Sequence, residues 1–273
     1  PKKEKSTTDK LASRKGGSEN KETDIVTEDE IDSEQDQAET PVEEISTGSG
    51  LTCASSPDPV QCNALQEIYR ATNGDGWNNK DGWDMSDPSW NPDFCTWEGI
   101  ECENINGKFF VSRLALAKNG LKGSLPDVFG GLRRLKHLKL SANKGLAGEL
   151  PPSLGLIEPL QSLNVEKCGL SGELLNSAAF SSSLSLVRLS DNSFSGPVPS
   201  DAIAAMVRQH LEKGTTVQID FSGNIGMFGS VLAEEDKELC GLLYVSVGET
   251  KIENPCETAD SEGSAEVVKD DQT

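Results

Sequence analysis

The stretch NGLKGSLP, Asn119–Pro126, returns almost unchanged as NKGLAGELP, Asn143–Pro151. Aligned on its asparagines, the chain makes five passes of one phrase, at residues 111–132, 135–157, 160–180, 184–203 and 216–232. The shared pattern is LxxLxLxxNxLxGxLP with a period of about 24 residues, the scale at which one repeat is one structural unit. Within each pass an apolar pair alternates with its neighbours: Leu114 and Leu116, Leu138 and Leu140, Leu163 and Val165, Val187 and Leu189, Ile219 and Phe221. That alternation predicts a short strand with one face inward. Asn119, Asn143, Asn192 and Asn224 each follow their pair by three residues. A side-chain amide there offers donors and an acceptor to the backbone of adjacent coils, and stacked copies form a ladder. The glycine that follows turns the chain, and the proline then redirects it. No pass can bury its own apolar face, so the passes must stack into a parallel solenoid.

The irregularities fit the same picture. Cys168 stands where the third pass should carry asparagine, a place that suits a small buried thiol. Passes two and five insert a residue after the asparagine (NKGL, NIGM), which predicts a small bulge on the loop. Between passes four and five, SDAIAAMVRQHLEKG has a polar start, helix formers and a closing Gly214, and predicts a helix on the convex side.

Of the 273 residues, 35% are hydrophobic, and the formal net charge is −20. The ends account for much of that imbalance. Residues 1–50 contain no aromatic side chain, and residues 257–273 are similarly polar and acidic. Neither segment can bury enough apolar surface to offset the entropy of ordering, so both are expected to be disordered. Between them the expected divisions are an N-terminal cap over 51–110, repeats over 111–232 and a C-terminal cap over 233–256. The acidic balance argues against nucleic-acid binding and against adsorption to anionic membranes. No stretch approaches the run of apolar residues that spans a bilayer. The chain opens at Pro1, which leaves room for a leader or a membrane anchor upstream.

Six of the seven cysteines flank the repeats: Cys53, Cys62, Cys95 and Cys102 before them, Cys240 and Cys256 after. Such placement reads as disulfide-stapled caps in an oxidising compartment. A zinc site is the rival reading, but the tight CxxC spacing is missing and His137 and His210 lie far from any cysteine pair. A cap is required on physical grounds, because the first coil would otherwise expose its apolar edge. NALQEIYRAT places Ala64, Leu65, Ile68 and Ala71 on one helical face. All four tryptophans, Trp77, Trp83, Trp90 and Trp97, fall in the same segment and are expected to form the lid's core.

These residues resemble a known family. LxGxLP within a repeat of this length resembles the plant-type leucine-rich repeat of receptor kinases, receptor-like proteins and polygalacturonase-inhibiting proteins. FCTWEGIEC (Phe94–Cys102) is similar to the CxWxGxxC signature of that family's N-terminal cap, and ATNGDGW (Ala71–Trp77) resembles algal and diatom members. LCG (Leu239–Gly241) with Cys256 is similar to the C-terminal cap. The resemblance implies the pairs Cys95–Cys102 and Cys240–Cys256, with Cys53–Cys62 as the third. It implies an α/β fold: a leucine-rich-repeat solenoid of about five coils with a short parallel β-sheet, a helical N-terminal cap and disulfide-bonded caps. Departures are the lost proline in GELL, the worn fifth pass and the absence of any Asn-x-Ser/Thr sequon.

No GxSxG, P-loop, HExxH or contextual GxGxxG motif is present, and the acidic runs lack the spacing of a calcium loop. The expectation is a non-enzyme without cofactor or metal, with His137 and His210 as ordinary surface residues. Function then falls to the outer face of the strands. Alternation places Arg113, Ala115, Ala117, His137, Lys139, Ser141, Ser162, Asn164, Glu166, Leu186, Arg188, Ser190, Gln218, Asp220 and Ser222 there. Within that set the expected partner-binding residues are Arg113, His137, Lys139, Asn164, Glu166, Arg188 and Asp220, with the basic members forming a stripe for an anionic partner. The family implies an extracellular ligand-binding or co-receptor region whose partners are a protein or peptide and a receptor kinase. Two alternatives stand beside it, a secreted inhibitor of a cell-wall hydrolase and an intracellular scaffold with reduced cysteines.

Overall fold

The computed structural model describes residues 52–174 and 181–256. The two acidic ends and the close of the third pass, 175–180, lie outside the described residues. The chain enters through helix α1, Pro59–Ala71, which Asp58 caps by accepting from the amides of Val60 and Gln61. Its inward face carries Cys62, Leu65, Ile68 and Tyr69. Tyr69, Trp77, Trp83, Trp97 and Trp90 follow one another in edge and tilted contacts with centroids 5.0–5.8 Å apart, and Tyr69 also stacks on Trp83 at 6.3 Å. All four indoles are buried, so the tryptophans form the core of the lid.

An antiparallel hairpin of β1 (Ile100–Ile105) and β2 (Lys108–Ala115) leads into the coils. Each coil then contributes two strands. In chain order these are β3 (Lys122–Ser124), β4 (His137–Lys139), β5 (Gly145–Gly148), β6 (Ser162–Asn164), β7 (Gly169–Glu173), β8 (Leu186–Arg188) and β9 (Ser193–Pro197). Helix α2 (Ser200–Leu211) intervenes, followed by β10 (Val217–Asp220), β11 (Gly226–Ser230), β12 (Leu243–Ser246) and β13 (Lys251–Glu253). They form a seven-stranded sheet, β1-β2-β4-β6-β8-β10-β12, and a six-stranded sheet, β13-β11-β9-β7-β5-β3. Apart from the β1–β2 hairpin, every pairing is parallel, as stacked coils require.

The core lies between the sheets. All ten residues of the alternating pairs are buried, together with Leu146, Leu170, Phe194 and Met227 from the second sheet and Leu121 just ahead of it. Full burial of each leucine removes apolar surface worth about 1.5–3 kcal/mol from water. At the seam, Gly123 has φ 106, and a Cβ there would meet the Ala71 carbonyl oxygen at 2.4 Å. Only glycine lets the first coil close against α1.

Three disulfides join Cys53 to Cys62, Cys95 to Cys102 and Cys240 to Cys256, leaving Cys168 free and buried. Helix α2 buries Ile203, Ala204, Met206, Val207 and His210. The expectation of a surface His210 is therefore corrected: the ring is 5% exposed, with Nδ1 2.7 Å from Thr215 Oγ1.

Candidate functional site

The strands are held in place by the asparagines. Asn143 Nδ2 donates to the carbonyls of Leu116 and Leu140 at 2.8 and 2.7 Å, and its Oδ1 accepts from the amides of Asn119 and Leu121. Asn192 donates to Val165 and Leu189, and Asn224 to Leu189 and Phe221. Cys168 supplies one rung through its thiol, which donates to the Leu140 carbonyl at 3.3 Å. Asn119 differs from the rest. It exchanges hydrogen bonds with Asn79, taking the Asn79 amide at 2.6 Å and donating to the Asn79 carbonyl at 2.7 Å. This ties the first coil to the lid. Just before each rung the backbone turns left-handed, at Lys118, Ala142, Lys167 and Asp191 with φ between 55 and 60, and at Gly223 with φ 76.

This scaffold sets a grid. One row runs Arg113, His137, Ser162, Leu186, Gln218, Tyr244. The second runs Ala115, Lys139, Asn164, Arg188, Asp220, Ser246. The inserted residues and helix α2 are absorbed between strands, so the register holds across all parallel members. The structure thus brings Arg113, His137, Lys139, Asn164, Arg188 and Asp220 onto one face in two rows, with Glu166 two residues beyond Asn164.

Their electrostatic situations differ. Arg113 faces Glu101 of β1 at 3.5 Å, and Glu166 pairs with Lys167. Asp220 Oδ1 accepts both the amide and the hydroxyl of Ser222. Asn164 Oδ1 accepts the Glu166 amide at 3.1 Å. Lys139 and Arg188 make no ion pair among the described residues. His137 is half-buried, and its pKa lies below the ordinary 6.5 because burial disfavours the cation, with Arg113 adding repulsion. Ser190, expected on the outer face, is instead buried at 4% exposure.

The face extends further than the repeats indicate. β1 adds Glu101 at one edge, and β12 adds Tyr244 and Ser246 at the other. The signal for β12 was present in the sequence: in LYVS, Leu243 is buried and Tyr244 is 61% exposed, a period of two. Among the described residues no group of three or more His, Cys, Asp or Glu side chains could hold a metal ion, and no helix is long and apolar enough to cross a membrane.

Comparison with known proteins agrees with this architecture. The solved ectodomain of the receptor kinase SOBIR1 from Arabidopsis thaliana superposes with a TM-score of 0.53 at 22% identity, covering 73% of this chain and 98% of that one. The fold is the plant-type leucine-rich-repeat solenoid. In sequence, the leucine-rich-repeat chain is 38% identical over 157 residues to MDIS1-interacting receptor like kinase 1 of A. thaliana, covering 56% of this chain and 14% of the relative. It is 33% identical over 138 residues to Receptor-like protein 49 of the same plant, covering 45% and 16%. The match therefore spans about a sixth of the length of these relatives. No family model matches the chain.

Proposed function

We propose that this leucine-rich-repeat chain is a non-catalytic recognition module that meets a protein or peptide partner on the outer face of its seven-stranded sheet. The observation that carries this reading is that Lys139 and Arg188, in one row of that face, make no ion pair among the described residues. Cations left unpaired on the face favour an anionic partner. The similar receptor kinase and receptor-like protein support a role in cell-surface signalling, with a receptor kinase as one partner. The three disulfides favour an extracellular or cell-surface location over an intracellular scaffold.

Charge reversal at both positions, Lys139→Glu with Arg188→Glu, should weaken partner capture at least ~tenfold at low salt, with the loss shrinking as salt rises. Unchanged affinity would remove the stripe from the reading. Thiol titration of unreduced, denatured protein should find one reactive group, Cys168. Finding all seven would restore the scaffold alternative.

A further inference from the structure

Beside helix α2 lies a cavity of about 520 Å³ that shares no residue with the two rows of the outer face. Gln161, Ser183 and Ser185 of the coils line it, with Lys213, Thr215 and Thr216 of the loop that leaves α2. His210 lines it too, although the residue is only 5% exposed. The lining holds a cation, Lys213, and no carboxylate. Lys213 makes no ion pair among the described residues. The Gln161 amide and the Ser183 and Thr216 hydroxyls add neutral donors. A donor-rich cavity of this kind suits a molecule that accepts hydrogen bonds and carries negative charge.

The buried histidine adds a switch to that chemistry. His210 Nδ1 lies 2.7 Å from Thr215 Oγ1, and either atom can donate to the other. Nε2 is buried without a hydrogen bond of good geometry, yet the Leu184 backbone favours a proton on the ring. With the neutral ring's proton on Nε2, the Thr215 hydroxyl donates inward to Nδ1. A second proton, taken from solvent, makes both ring nitrogens donors. Nδ1–H then donates to Thr215 Oγ1, and the hydroxyl hydrogen is released to donate into the cavity. The charge that opposes this protonation is Lys213, acting together with burial. Arg208, two residues earlier on α2, pairs with Asp236, and Glu212 caps the helix exposed. Residues 181–185 contribute only serines and Leu184, so no acid faces the ring from the coils. We infer that this cavity binds a small oxyanion, free or carried on a hydroxylated body, between Lys213 and the Thr215 hydroxyl, and that binding is coupled to protonation of His210. An anion placed there attracts both cations, which otherwise repel each other. The inference stands apart from the recognition face.

The test is isothermal titration calorimetry on the full chain with sulfate, gluconate and sorbitol at fixed ionic strength, at pH 7.5 and 5.5. Sulfate and gluconate keep their charge over that range, so a pH dependence reports the protein. NMR titration of the two histidine rings runs alongside. Both anions should bind ~tenfold more tightly at pH 5.5, because the bound state takes up a proton. Reciprocally, saturating anion should raise the His210 titration midpoint by about one pH unit and leave His137 in place. Lys213→Gln should weaken binding ~tenfold at both pH values. Thr215→Val should abolish the pH dependence, and Thr215→Ser should keep it. Equal affinities for the two anions assign a free oxyanion, and tighter gluconate assigns a hydroxylated body; either supports the inference. Sorbitol binding as tightly as gluconate, affinity indifferent to pH or to Lys213→Gln, or an unmoved His210 overturns it. Equal movement of both histidines marks a general salt effect and overturns it as well. The NMR titration needs no variant, so misfolding of Thr215→Val leaves the test standing, and every one of these failures leaves the reading of Lys139 and Arg188 intact.

Discussion

Asn143 is 1% exposed, yet four backbone groups from two coils depend on its amide. Removing a buried partner of this kind leaves each group without water or protein to bond, at about 1–3 kcal/mol apiece before relaxation. Asn143→Ala should therefore lower unfolding free energy by about 3–5 kcal/mol in urea titration. A loss below about 1 kcal/mol would mean the ladder is ornamental. Cys168 offers the reverse experiment. Its thiol makes a single rung, so Cys168→Asn should be tolerated, staying within about 1 kcal/mol of the parent or exceeding it. The asparagine ladder was legible from sequence because the residue type and its offset from the strand recur. The left-handed residue ahead of each rung was not, because Lys118, Ala142, Lys167, Asp191 and Gly223 share no side-chain chemistry.

Among the elements, the five strands of the repeats in the first sheet are read from periodicity and helix α2 from its polar start, helix formers and closing Gly214, while the second sheet is hidden. β3, β5, β7, β9 and β11 each contain glycine, which weakens the period-two signal on which strand reading depends. Their parallel stacking supplies the pairing that propensity does not. His210 was misread for a simpler reason. Ile203, Val207 and His210 fall on one face of α2 at helical spacing, and that face is buried. Burial, partly opposed by the Leu184 backbone, holds the His210 pKa below its ordinary value. The unfolded chain then binds a proton that the folded chain refuses. Stability from this term is complete above about 6.5 and falls as pH drops toward the folded value. Urea midpoints should decline from pH 7.5 to 5.5, and His210→Asn should flatten that decline. An identical slope in the variant would assign the effect elsewhere, with His137 as the next candidate because its shift has the same sign.

At the scale of the molecule, each coil touches only its neighbours, so the ends decide how far fraying spreads. The Cys240–Cys256 disulfide, with a sequence separation of 16, encloses β12 and β13, the last strand of each sheet. Replacing both cysteines by serine should cost about 3 kcal/mol and raise amide exchange first in 243–253, leaving β6 and β8 protected. Uniform acceleration throughout the solenoid would contradict nearest-neighbour stacking. The existence of both caps was legible in their cysteines and tryptophans. The participation of β12 in the outer face went unread although LYVS alternates, because it follows the last recognisable repeat and that alternation spans only four residues.

The insertions in passes two and five and the whole of α2 leave the pairing of the strands untouched, so the positions on the outer face behave as columns of a table. A column can be added or removed as one coil without renumbering the contacts in the others. The reading frame for a partner would then lengthen in steps of one strand width, about 4.8 Å, while the chemistry already displayed at Lys139, Arg188 and Tyr244 keeps its order.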